Sequence, residues 1–309
     1  MPRLARAVVA LTLLTCSPDA SAPAAEGVDT AGPLQVFVVS EPLRYFAARI
    51  GGPDVAVSFP APSGVDPSAW TPDTETVVAY QNADLVLRSG AGFARWADLV
   101  SLPSARVVDT SAAYRQRLRR RPGAVSHQHG PAGEHSHNKL AHTTWLDPQL
   151  AILQAAAVTD ALVRLRPESE SAFRLRLAAL VADLDSLDDR LAAAAGPLAD
   201  TPLLFSHPIY EYLIGRFELD ARSLDWEPDE PPSARQWREL EAVTREHPAR
   251  WLLWEAEPLA EIDRALRARG IESRVFDPCG RSPAEGDFMT VMRSNAETLE
   301  TLSTATRAD

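Results

Sequence analysis

The chain has 309 residues, 45% of them apolar, and a formal net charge of −11. That length suits two ordinary domains or one large one, and burying a core presents no difficulty. The acidic balance excludes nucleic acid as a partner, because neutralising phosphates needs a basic face.

Arg3 and Arg6 precede a short apolar run from Ala7 to Leu14, which stops just before Cys16. This is the layout of a secretory signal, and the run is too short to cross a bilayer as a helix. Residues 1–16 are therefore read as a signal peptide. Cys16 resembles a lipoprotein processing site, where it becomes the lipidated first residue. Ordinary cleavage between Ala20 and Ala25 is the alternative. Either outcome places the protein in the periplasm or on the cell surface, with membrane contact only through an N-terminal lipid. Residues 17–33, rich in Ala, Pro, Ser, Asp and Gly, read as a tether. The only other cysteine is Cys279, so no disulfide framework is expected. Cys279 reads as a small buried apolar residue.

Alternating elements follow. Short apolar runs predict strands at Leu34 to Ser40, Val55 to Phe59 and Asp84 to Ser89. Helical patterns cover Glu41 to Ile50, Asp73 to Asn82 and Phe93 to Val100. After a histidine-rich interruption, helices are expected over Asp147 to Leu165 and Glu168 to Ala195, divided at Pro167. The second repeats apolar residues every three or four positions and would run about 42 Å. Strands then recur at Pro202 to Ser206, ending at Ser223 and Leu224, at Trp251 to Trp254 and at Ser273 to Phe276. Helices fall over Ile209 to Phe217, Ser233 to Glu246 with Ser233 as N-cap, Pro258 to Arg269, and Gly286 to Thr304. The fold class is α/β: two lobes, each with a mostly parallel sheet flanked by helices, joined by a long rigid helix. The divisions are an N-terminal lobe over 34–166, a linking helix over 167–196 and a C-terminal lobe over 197–309.

The interruption, residues 124–142, holds His127, His129, His135, His137 and His142, five of the chain's seven histidines. It carries Gly and Pro and few apolar residues, so it reads as a surface loop. Dense imidazole in such a loop suits a zinc-like ion. A solvated loop without a site is the plainer reading. Three further donors lie at strand ends or helix starts: His142 before Thr-Thr-Trp145-Leu-Asp147-Pro148, His207 after Leu203 to Ser206, and Asp277 after Phe276. Ligands of open α/β sheets bind at that edge. Two imidazoles and a carboxylate make a plausible zinc set. Equally, His207 could bond a backbone carbonyl, Asp277 could cap a turn before Pro278, and His142 could belong to the loop. Trp70, Trp145, Tyr210, Trp226 and Trp254 are expected to line or brace the cleft, with core packing the better reading of Trp254. Metal binding through imidazole should weaken below about pH 6.5, the reference pKa of histidine.

Five segments occur in order: Gly64-Val-Asp66-Pro67-Ser68-Ala-Trp70, Ala83 to Gly92, His142 to Pro148, Ser206-His207-Pro208-Ile-Tyr210-Glu-Tyr212, and Val275-Phe-Asp277-Pro278. Together they resemble the zinc/manganese class of ABC-transporter solute-binding proteins, over roughly residues 34–304. The resemblance implies two α/β lobes around one long helix, a metal between them, and delivery to the permease of an ABC importer. It implies no catalysis and a monomer. His207 matches the family's third ligand and Asp277 its carboxylate. His142 sits one residue earlier than the family's histidine, whose place is taken by Thr143. Ser68 stands where members carry their first histidine, and a hydroxyl is a poor zinc ligand. His127, His129, His135 and His137 are the nearest substitutes, and Glu211 and Glu255 more distant ones. Zn2+ is the expected cargo, ahead of Mn2+, because the donors are imidazoles. An exported zinc buffer or adhesin-like lipoprotein is the alternative. A zinc hydrolase is a further one, although the chain has neither a His-Glu-x-x-His helix nor a Gly-x-Ser-x-Gly elbow.

Overall fold

The computed structural model describes residues 32–121 and 140–308. The first half alternates β1 (Leu34–Val38), α1 (Glu41–Gly51), β2 (Val55–Ser58), α2 (Thr74–Asn82), β3 (Leu85–Arg88), α3 (Trp96–Leu99) and β4 (Val107–Asp109). Its strands form one sheet in the order β2-β1-β3-β4, every pair parallel. Two helices follow, α4 (Pro148–Leu165) and α5 (Glu170–Ala195). The second half runs β5 (Leu203–Phe205), α6 (Glu211–Phe217), β6 (Ala221–Ser223), α7 (Ala234–Glu246), β7 (Trp251–Trp254), α8 (Ala260–Arg267), β8 (Glu272–Val275) and α9 (Phe288–Ala308). Its order, β6-β5-β7-β8, repeats the first arrangement, again all parallel. The expected α/β fold with a long helix between two sheets is present.

Local chemistry sets the element ends. Asp73 caps α2 by accepting from the Thr76 amide at 2.8 Å, and Asp147 caps α4 by accepting from Gln149 at 3.0 Å. Ser233 and Gln236 form a reciprocal capping box at the start of α7, as expected of Ser233. Two expectations are corrected. The helix over Phe93 to Val100 shrinks to α3, because Ala91, Gly92 and Ala94 hold positive φ and keep the chain in turns. Strand β4 was not foreseen, being three residues between 3-10 turns.

The central strands β3, β5 and β7 are buried on both faces, as is common in parallel sheets, whereas β1 alternates, with Val36 and Val38 buried and Gln35 exposed. Side chains in the second sheet alternate between two cores. Leu203, Phe205, Trp251 and Leu253 join a core that runs continuously from Val36 to Leu302. Leu204, Leu252 and Trp254 point the other way, into a smaller core with Trp226 and Ile262. Trp226 and Trp254 are therefore packing residues behind the sheet and do not line the cleft. Helix α5 contributes Phe173, Leu180, Leu184, Leu187 and Leu191 to the main core, a stripe at helical spacing.

Polar contacts tie the halves together beyond this core. The Trp145 indole donates to the Pro278 carbonyl at 2.7 Å, and the Tyr212 hydroxyl to the Ala141 carbonyl at 3.3 Å. Glu41, fully buried at the start of α1, receives both the Arg44 guanidinium and the Ser282 hydroxyl, while its amide donates to Gly280.

Leu184 is fully buried, whereas Leu175 on the same helix is 74% exposed. Leu184→Ala should cost about 2–5 kcal/mol in denaturant unfolding. Leu175→Ala should stay within about 0.5 kcal/mol of the parent.

Candidate metal site

In both sheets the chain switches sides at the first strand, so a crevice opens at the carboxyl ends of β1 and β3, and another at those of β5 and β7. The candidate residues follow these ends. His207 comes two residues after β5, Glu255 one after β7 and Asp277 two after β8. In the first half, Gly90 leaves β3 at φ +73°, and a Cβ there would fall 1.9 Å from the Ser111 hydroxyl. Only glycine permits that turn to lie so close to β4.

His142 lies on the segment that crosses from the first half to α4. Its ring packs edge-on against Phe93, centroids 5.3 Å apart. The Arg121 guanidinium donates to its Nδ1 at 2.9 Å. Loss of hydration, then the Arg121 charge, then His207, lower its pKa to about 3. His142 is therefore neutral throughout the usual pH range, and the expectation of proton competition near pH 6.5 does not hold for it.

His207 Nδ1 is buried without a hydrogen-bond partner among the described residues. Asp225 lies 3.6 Å away and Glu227 3.7 Å, beyond hydrogen-bond length. Asp277 uses its carboxylate to accept from the Cys279 amide at 2.7 Å, so it does cap a turn. Burial raises its pKa, while that bond and Arg281 act against the rise. Among the described residues, no three His, Cys, Asp or Glu side chains stand together as a metal cage.

Ser68 donates its hydroxyl to Asp66 at 2.6 Å, and its amide to the same carboxylate at 2.9 Å. Its hydroxyl hydrogen is committed to Asp66, and a neutral hydroxyl is a poor ligand for zinc. Tyr210, fully buried, donates to the Phe276 carbonyl at 2.8 Å, and Trp70 stacks edge-on with Trp96. With Trp145 they brace the crevice from below. Outside the region, His247 is a core histidine whose Nε2 meets the Leu203 carbonyl at 2.9 Å. His127, His129, His135 and His137, like Cys16, lie outside the described residues. The chain on either side of that stretch meets at the site: Arg120 bridges Leu140, and the Ala141 amide donates to Arg119 at 3.0 Å.

Two residues at the crevice were not singled out by the sequence as central. Arg121 is one, for its bond to His142. The other is Glu211, 8% exposed at the start of α6, whose oxygens both lack a partner among the described residues. Desolvation raises its pKa, and its own backbone amide and then Arg121 oppose the rise. Glu255 goes further, to about 7, through burial and the nearby carboxylates Glu227, Asp66 and Asp277, with Arg281 opposing. A carboxyl raised in the folded state binds more protons there than in the unfolded chain. Its contribution to stability is full below the unfolded value and is lost as pH rises through about 7. Glu255→Gln should therefore raise the melting temperature at pH 8 relative to the parent by about 2–4 °C, with a smaller gain at pH 5. Paired thermal melts at the two pH values check this.

Known proteins share this architecture. The metal-dependent lipoprotein YcdH of Bacillus subtilis superimposes with a TM-score of 0.73 at 20% identity, covering 87% of this chain and 98% of that one. The Zn(II)-bound ZnuA-like domain of Streptococcus pneumoniae AdcA does so with 0.73 at 20% identity, covering 88% and 99%. At such identities these likenesses establish the fold. In sequence, the high-affinity zinc uptake system protein ZnuA of Brucella abortus (strain 2308) is 26% identical over 161 residues, 50% of this chain. That match spans about half, 48%, of the Brucella protein's own length. Residues 36–302 match the family described as the periplasmic zinc-uptake complex component A, and the chain belongs to that family.

Proposed function

We propose that the protein captures a divalent metal ion, zinc, outside the cytoplasmic membrane and hands it to the permease of an ABC importer. The observation that carries this reading is the imidazole of His207, whose buried Nδ1 has no hydrogen-bond partner among the described residues, following the end of β5, with the neutral imidazole of His142 supporting it. An imidazole without a hydrogen on that nitrogen is a ready metal ligand. The proposed ligand set is His142, His207 and Asp277, with His127, His129, His135 and His137 as first contacts for incoming ions. No covalent step is needed: donors displace water from the ion. Because Asp277 is engaged with Cys279 and Arg121 with His142, capture requires these side chains to move. In this reading residues 34–166 and 197–309 act as lobes around a linking element at 167–196. A monomer tethered through Cys16 presents the crevice to its transporter.

Titration of the purified protein with zinc chloride and with manganese chloride tests the proposal. Wild type should bind zinc tightly and more strongly than manganese. His207→Ala should lose more than the roughly 10–100-fold that follows removal of an outer-shell partner. Tight zinc binding unchanged by His207→Ala would reject the crevice as the site.

A further inference from the structure

Asp277 lies just past β8, where the ladder to β7 closes with the Phe276 amide donating to the Trp254 carbonyl at 2.7 Å. Its own peptide groups have no strand to pair with, and one side chain takes both of them. The Asp277 amide donates to Asn295 Oδ1 at 3.0 Å, and Asn295 Nδ2 donates to the Asp277 carbonyl at 2.7 Å. A carboxamide offers an acceptor and a donor side by side in one plane, so it stands in for the missing strand. Asn295 is 3% exposed on α9. An amide so buried is costly unless its hydrogen bonds are made, and here they are made to the main chain of Asp277. Three residues on, along the same helix face, Thr298 Oγ1 donates to the Val275 carbonyl at 3.1 Å. Beyond Asp277 the chain is held from the first half, through Trp145 to the Pro278 carbonyl and through the Glu41 amide to Gly280. The main chain of Asp277 is thus fixed from both sides. Its carboxylate accepts from the Cys279 amide at 2.7 Å.

We propose that Asn295 is a positioning residue for metal capture: it holds the main chain of Asp277 while the carboxylate turns from the Cys279 amide to the ion. The inference rests on the metal-capture reading with Asp277 as a ligand, and it adds a residue that does not touch the ion. A ligand on a fixed main chain gives up only side-chain freedom when it binds. One on a loose strand end must also have its backbone ordered, which weakens affinity.

The test titrates the full-length protein with zinc chloride against a chromophoric chelator, and melts each variant without zinc to establish that it folds. Wild type is compared with Asn295→Ala, Asp277→Ala, the double variant and Thr298→Ala. Asn295→Ala should weaken zinc binding by about 10–100-fold, as loss of an outer-shell partner does. The double variant should bind no more weakly than Asp277→Ala alone, because Asn295 acts through that carboxylate. A merely structural role would add its loss in both backgrounds. Thr298→Ala loosens the same helix at Val275, and should lower the melting temperature while leaving zinc affinity unchanged. Asn295→Ser, which keeps a hydroxyl at that point, takes the place of an alanine variant that does not fold and is read in the same way. Wild-type affinity in the Asn295 variant, a further loss in the double variant, or an equal loss in Thr298→Ala would overturn the assignment while leaving capture intact. Wild-type affinity in Asp277→Ala would remove Asp277 as a ligand and the role of Asn295 with it, leaving capture at His207. A wild-type protein that ignores zinc would overturn the capture reading and this assignment together.

Discussion

Negative charge concentrated at the carboxyl edge of two sheets is the constraint around which the site is arranged. Asp66, Glu227 and Asp277 all act on Glu255, and Asp66, Glu211 and Asp225 all act on Arg121. Against these carboxylates the crevice sets the guanidinium groups of Arg121 and Arg281. Like charges brought together away from water repel more strongly than in solution. Burial first, and then the carboxylates of Glu227, Asp66 and Asp277, push Glu255 up to about 7, while burial alone raises Glu211 and Asp277. A divalent cation would relieve this repulsion. The demand for positive charge is thus built into the apo crevice.

The frame that holds these charges is stiff. One hydrophobic core continues from the first sheet through α4 and α5 into the second. Trp145, Thr143 and Tyr212 bond across the junction, and Glu41 bonds to the loop after Asp277. A wide hinge opening would expose apolar surface and break each of these contacts. Movement at the site is therefore cheapest in side chains: the guanidinium of Arg121, the carboxylate of Asp277 and the ring of His207. In such a frame specificity is set by which donors the strand ends present.

Periodicity made most of the fold legible. The strands are buried apolar runs, the helices start at Asp73, Asp147 and Ser233 by recognisable caps, and α5 carries its stripe openly. Strand β4 was missed because Val107–Asp109 is too short to show alternation. The helix before it was overdrawn because positive φ at Ala91 and Ala94 has no signature in alanine itself. Residue type suggests the cleft for Trp226, yet it packs with Leu204, Leu252 and Trp254 in the smaller core. At the site, His142 and His207 stood out by residue type. Arg121 did not, because it ends a run of surface-like arginines, Arg117, Arg119 and Arg120. Glu211 is buried at the start of α6, a property of packing that no local pattern encodes.

These placements change where protons enter the chemistry of capture. In a simple histidine site, acid weakens binding by protonating imidazole. Here His142 is held neutral down to about pH 3, so acid does not remove its lone pair first. The carboxyl poised to gain or lose a proton near neutrality is Glu255, at about 7. An incoming dication lowers the pKa of every nearby carboxyl by direct attraction. In the proposed capture, a dication arriving beside Glu255 would expel its proton, and acidification would oppose that step while the His142 ring stays neutral.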